Sequence, residues 1–267
     1  MNAYLDARSV LLITLDSCRY DTFAAAAAPR MKAIGPLYRA LAPSHFTFGS
    51  HASMFVGFTP GVPDVAIPYV NPKFGRIFKV GAAGSVGPHP PFISLEGSDI
   101  IDGFRRKGLA TIGSGAAGWF DPDTETGAVL SRSFDEFWYP GNTYSLDAQI
   151  DWIQGRLPNI DRAAFVFLNV GETHVPYFYK GAAWDPSYNP CMPFGSNNDA
   201  TECRRRQTSC LEYVDRQLAE FLGLFAAGTV IICSDHGDCW GEDGVWEHGV
   251  SHPKVLEVPL LFRLGGV

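Results

Sequence analysis

Three apolar runs in this 267-residue chain end in side chains able to bind a cation. S-V-L-L-I-T-L-D closes on Asp16, F-V-F-L-N-V-G leads to Glu172 and His174, and T-V-I-I-C-S-D-H-G-D carries Asp235 and His236. His248 and His252 follow the last of these runs. Carboxylates and imidazoles drawn from distant segments suit Zn²⁺, Mn²⁺ or a similar divalent ion. Taken singly, an Asp at a strand end often caps the next helix, and a single His more often sits in the core or on the surface. Seven such residues on one edge favour a metal site. Thr47, in S-H-F-T-F-G-S-H-A-S-M-F-V-G, adds a hydroxyl before a helix expected to start near Ser50. Beside a cation that hydroxyl can act as a nucleophile. As helix caps, Thr47 and Ser50 need no such role, and position alone leaves both readings open.

The elements that must position these groups are legible from pattern. Val10–Leu15, Leu109–Ile112, Ala164–Val170, Thr229–Cys233 and Val258–Phe262 are continuous apolar runs, as strands covered on both faces require. Leu146, Ile150, Ile153 and Leu157 repeat at helical spacing and stop at Pro158. Leu211, Val214, Leu218, Phe221 and Phe225 form a second stripe before Gly228. Ala24–Ala28 reads as helix ended by Pro29. Alternating helix and strand gives an α/β fold with a mainly parallel central sheet flanked by helices on both faces, and ligands beyond the strands' carboxyl ends. One domain over 1–267 is expected, with loop insertions near 58–99 and 172–198.

Composition narrows the partners. A net charge of −7 argues against nucleic acid and anionic membranes. No run approaches the roughly 20 apolar residues of a membrane span. No export signal is visible before the first strand, so Cys18, Cys191, Cys203, Cys210, Cys233 and Cys239 read as reduced thiols of a cytoplasmic protein. Oligomeric state is not written in the sequence. Gly113–Gly118 matches G-x-G-x-x-G, but Pro122 interrupts the helix a dinucleotide site needs, so no nucleotide cofactor is expected. Arg19 reads as an ion-pair partner of Asp21 or Asp16, and Arg204–Arg206 as a solvated basic face. Lys73, Arg76 and Lys79 offer local positive charge for an anionic substrate. Tyr177, Tyr179 and Trp184 form either a pocket wall or a satellite core.

Together L-I-T-L-D-S-C-R-Y-D-T, T-F-G-S-H-A-S-M-F-V-G-F-T-P, S-F-D-E-F, N-V-G-E-T-H-V-P-Y, C-S-D-H-G-D and V-P-L-L-F resemble the alkaline phosphatase/arylsulfatase superfamily, in order from Leu12 to Phe262. The resemblance implies that Asp16, Asp235 and His236 bind a metal and that Thr47 is the nucleophile in contact with it. It implies that His174 and His248 hold substrate oxygens or protonate the leaving group. A small anionic ester would be the substrate.

Departures from that pattern refine the expectation. Thr47-Phe48-Gly49-Ser50-His51 lacks the Cys, Pro and Arg of a formylglycine motif, so phosphorus is expected rather than sulfur. The Asp four residues before a histidine that brings a second metal is Val170 here, counting from His174. One metal is therefore favoured, with Glu172, His174, His248 and His252 available for a second site or for substrate. The C-terminal subdomain of many sulfatases is expected to be absent. The reading is a metal-dependent hydrolase of phosphomono- or phosphodiesters, or of a phosphonate ester, acting through phosphothreonine. Its rivals are a sulfate-ester hydrolase or phosphoryl transferase of the same superfamily, and a non-catalytic metal- or anion-binding protein.

Overall fold

A computed structural model describes residues 5–58, 78–79, 94–95 and 98–266. Seven strands form the main sheet: β1 (Val10–Leu15), β2 (Tyr38–Leu41), β3 (Ala110–Gly115), β4 (Glu136–Trp138), β5 (Ala164–Val170), β6 (Thr229–Ser234) and β7 (Glu257–Arg263). Their order is β2-β7-β6-β1-β5-β3-β4. The β1 pairings to β5 and β6, and those of β3 to β5 and β4, are parallel. β7 runs antiparallel to both β6 and β2, which direction-blind apolar patterning does not reveal. β2 and β4 are short edge strands with exposed or half-buried residues, so they lack the continuous apolar signature.

The helices are α1 (Tyr20–Ala25), α2 (Pro29–Lys32), α3 (Thr47–Val56), α4 (Ile100–Arg106), α5 (Glu125–Ser131), α6 (Leu146–Gln154), α7 (Ala200–Leu224) and α8 (Pro253–Leu256). Alternation along the central strands feeds two cores. Leu11, Ile13 and Leu15, with Val166, Leu168 and Val170, pack against Phe23, Ile150, Leu211 and Phe221. Phe165 and Phe167, with Val10 and Leu12, face Phe48, Phe55, Ile101, Phe120 and Phe134 on the opposite side. The strands are thus covered on both faces, which explains their unbroken apolar sequences.

Some local expectations change. The Ala24–Ala28 helix ends at Ala25, because Ala26 is extended, and Pro29 opens α2 at a position where its missing N–H costs nothing. α7 begins eleven residues before the Leu211 stripe, at an Asp199 cap that accepts from the Thr201 and Glu202 amides. Arg206 is not a solvated member of the basic run: it is buried, pairs with Glu202 and donates to the Pro176 and Tyr188 carbonyls. Arg19 pairs with Asp21 and Glu242 rather than Asp16. Tyr177 joins Val175, Cys191, Cys203, Cys210 and Trp240 in a satellite core, with Tyr179 and Trp184 against it. Gly113 and Gly115 lie within β3, where a Cβ would strike the Phe137 and Phe120 rings, so close packing accounts for both glycines. Most of the 58–99 insertion, with Lys73 and Arg76, lies outside the described residues, and so does the Lys79 side chain.

Candidate metal centre and active site

β1 and β6 are neighbours in parallel register, Leu15 opposite Ser234, so their carboxyl ends deliver Asp16 and Asp235 side by side. Ser17 then enters the left-handed region at φ 58°, and its N–H reaches Asp235 Oδ1 at 3.2 Å; the His236 N–H reaches the same oxygen at 2.9 Å. The Ser234 hydroxyl bridges the Leu15 and His236 carbonyls and accepts the Cys18 N–H, stitching the two strand ends together. From α7, Gln207 donates to the Ser17 and Thr173 carbonyls and accepts the Arg19 N–H. Asp235 is thereby held by two backbone N–H groups, while the buried Gln207 amide braces the backbone on either side of Ser17, next to Asp16.

Thr47 is the first residue of α3 rather than a residue preceding it. Ser50 donates to the Asp235 carbonyl at 2.7 Å, which docks the helix on the centre. Thr47 Oγ1 stands 3.3 Å from His236 Nε2 and 3.5 Å from Asp16 Oδ1. His236 Nδ1 donates to the Gly237 carbonyl, leaving the Nε2 lone pair aimed at the acids. Burial drives the His236 pKa down to about 4, so the imidazole is neutral and ready to ligate.

Both acids are wholly buried, and Asp16 Oδ2 and Asp235 Oδ2 have no hydrogen-bond partner among the described residues. Burial raises both carboxyls, Asp235 to about 6, and the Asp235 charge adds to the effect on Asp16. One carboxylate oxygen from each acid and the His236 lone pair, all within 4.8 Å of one another, with an unpartnered oxygen on each acid, are a donor set that fits a divalent cation.

The other candidates divide. A two-residue ladder, Cys239–Trp240 with Trp246–Glu247, folds the chain back and places His248 against Asp238. His248 Nδ1 donates to Asp238 Oδ1 at 2.7 Å, Tyr177 donates to Asp238 Oδ2, and Trp240 Nε1 donates to Tyr177. Burial opposes a charge on His248, but the Asp238 bond and nearby carboxylates outweigh it and raise its pKa to about 9. Its ring lies 4.4 Å from His236 and 5.3 Å from His174. His174 lines a pocket of about 410 Å³ together with Thr47.

Glu172 does not join the centre. Its Oε1 accepts the Leu146 N–H and caps α6, and burial raises its pKa to about 8. His252 also stays away: it caps α8 through the Lys254 N–H and faces Asp243. Neither belongs to a group of candidate ligands among the described residues. Sequence reasoning assigned no role to Asp238 or His51. The first is signalled by its place two residues after His236. His51, one helical turn after Thr47, donates to the Thr47 carbonyl and accepts from Thr14, tying the nucleophile's turn to β1.

No protein-family model and no curated protein matches this chain. Solved structures do. A protein in the alkaline phosphatase superfamily from Vibrio parahaemolyticus superposes with a TM-score of 0.58 at 14% identity, over 99% of this chain and 62% of that one. The fold is that of the alkaline phosphatase superfamily. Two further structures share this superfamily fold. The periplasmic domain of EptC from Escherichia coli, in complex with Zn, gives a TM-score of 0.66 at 13% identity over 99% of this chain and 75% of its own. Phosphonate monoester hydrolase of Agrobacterium radiobacter gives 0.63 at 16% identity, over 96% and 68%. No helix of the described residues is long and apolar enough to cross a membrane.

Proposed function

We propose that this protein is a metal-dependent hydrolase of phosphate esters, acting through a phosphothreonine at Thr47. The observation that carries the reading is Thr47 Oγ1 standing beside the Asp16–Asp235–His236 donor set while also lining an open pocket. Asp16, Asp235 and His236 would hold the cation, which when bound supplies charge neutralisation and lowers the pKa of a neighbouring hydroxyl. The Zn complex of the similar EptC domain supports zinc, with manganese as the other candidate. One site is favoured: His236, Asp238 and His248 form a second group of possible ligands, but it shares His236 with the first, and Asp238 and His248 are closed on each other in a hydrogen bond.

In the first step Thr47 loses its proton, its oxygen bonds phosphorus in line, and the ester oxygen leaves. His174, on the pocket wall, donates the proton that the departing oxygen needs. His248, held protonated by Asp238, supplies positive charge to the phosphoryl oxygens. In the second step water attacks phosphorus and gives its proton to the His174 left neutral by the first step, the Thr47–phosphorus bond breaks, phosphate departs, and Thr47 takes back from solvent the proton it released there. Six buried, unpaired cysteines support a reducing compartment, and with it the cytoplasm.

The test is a screen of nitrophenyl mono-, di- and sulfate esters with Zn²⁺ or Mn²⁺, in wild type and Thr47→Ala. Phosphoester turnover that falls by at least about 10³-fold in the variant, with metal content retained, supports the reading. Turnover of the sulfate ester alone would overturn it. Transfer to a second alcohol is the alternative that similarity to the periplasmic domain of phosphoethanolamine transferase EptC from Campylobacter jejuni favours (TM-score 0.65, 14% identity), and added glycerol appearing as a phosphorylated product would reveal it.

A further inference from the structure

We propose that Trp119 is the specificity-determining residue of this site and that it selects esters whose organic group carries a flat, uncharged ring. The inference rests on the hydrolase reading of Thr47 and extends it to the part of the substrate that departs.

The pocket that begins at Thr47 and His174 runs past Ala117 and Gly118 to Trp119, with Thr126 and Thr143 alongside. At about 410 Å³ it falls within the range of small-molecule sites. Trp119 keeps 41% of its surface exposed, although the ring is firmly placed. Phe46 meets it edge-on at 5.9 Å and Phe48 stacks on it at 6.0 Å. These two rings flank the nucleophile in sequence, so the indole is registered against Thr47 by the turn that presents Thr47 Oγ1. A large apolar ring that is pinned from behind yet open in front is a contact surface awaiting a partner.

The neighbours of the ring define the partner. Ala117 and Gly118 carry almost no side chain, and beyond its chain neighbours a Cβ at Gly118 would meet Tyr139 Oη at 3.8 Å among the described residues, so this stretch of the wall leaves room for a plane beside the indole. Among the described residues no Asp, Glu, Lys or Arg lines this pocket, and His174, beside Thr47 in the lining, is the one ionisable group. A charged organic group would lose hydration here without finding a counter-ion. Thr143 also lines the pocket and offers a hydroxyl to a neutral polar substituent. Flat, neutral and ring-bearing is the chemistry that remains.

Benzyl and ethyl phosphate separate the ring from the leaving-group chemistry, because their alcohols are of similar acidity. Wild type is expected to favour the benzyl ester in kcat/KM by about tenfold, the size of one good aromatic contact. Trp119→Ala should collapse that ratio towards one, mainly through KM, and Trp119→Phe should restore part of it. Binding provides a readout independent of turnover. Phenylphosphonate should quench tryptophan fluorescence at concentrations about tenfold below methylphosphonate, and the quench should vanish in Trp119→Phe. Equal affinities for the two phosphonates, or a benzyl preference that survives Trp119→Ala, would overturn the inference. If the ring preference in binding holds but no phosphoester turns over, the hydrolase reading fails and the platform stands.

Discussion

At the scale of single residues, the centre separates groups that must be charged from groups that must be neutral. His236 is neutral because it is fully buried and its Nδ1 proton is committed to a carbonyl. His248 is equally close to the reacting region but charged, because Asp238 lies 2.7 Å from its Nδ1. Asp238 in turn is oriented by Tyr177, so the charge depends on a residue that touches neither cation nor substrate. Asp238→Asn should keep the fold, since an amide retains the shape, while releasing the positive charge on His248. Phosphoester kcat/KM is expected to fall by roughly 10–100-fold with bound metal unchanged, measured by steady-state kinetics and metal analysis together. An equal loss of metal and activity would reassign Asp238 to the cation.

At the scale of elements, the site is the meeting of two adjacent strand ends with the first turn of α3, braced by α7. The loop after β6 is also tight against α8 at Gly237, where an added Cβ would strike the Lys254 carbonyl oxygen. Gly237→Ala must therefore push α8 away from the loop that carries His236 and Asp238. The expected result is a loss of about 2–3 kcal/mol of stability in denaturant unfolding, together with weaker metal binding. A second element-level effect is pH-dependent. Glu172 caps α6 with a carboxyl whose pKa burial lifts from 4.5 to about 8, opposed in part by the Leu146 N–H. Between those two values the native state keeps a proton that the unfolded chain has lost, so stability falls as pH rises through the window. The slope approaches 1.4 kcal/mol per pH unit, about the value for one proton. Glu172→Gln should flatten this fall; an identical pH profile in the variant would place the titrating group elsewhere.

For the whole molecule, the sheet gathers negative charge at one buried point, and the two unpartnered oxygens of Asp16 and Asp235 make the metal-free protein less stable than its cores allow. A cation bound there at about 1,000 times its dissociation constant adds about 4 kcal/mol. A chelator should lower the melting temperature and Zn²⁺ or Mn²⁺ should restore it. Asp16→Asn should melt higher than wild type without metal and lower with it, since it relieves repulsion in one state and removes a ligand in the other. The same sign in both states would remove Asp16 from the ligand set.

The sequence by itself determined what is written locally or repeated. Unbroken apolar runs mark β1, β5 and β6 because strands covered on both faces have no polar side to show. Acids and imidazoles placed just beyond them mark the sheet edge where they gather. Tertiary structure decided what depends on distant neighbours. The reversed direction of β7, Glu172 turning to cap a helix, Asp238 closing on His248, and Trp119 pinned by the rings on either side of Thr47 are all set by pairings across ten to 73 residues. Side-chain type limits which bonds a residue can make, and only the folded arrangement of its neighbours selects among them.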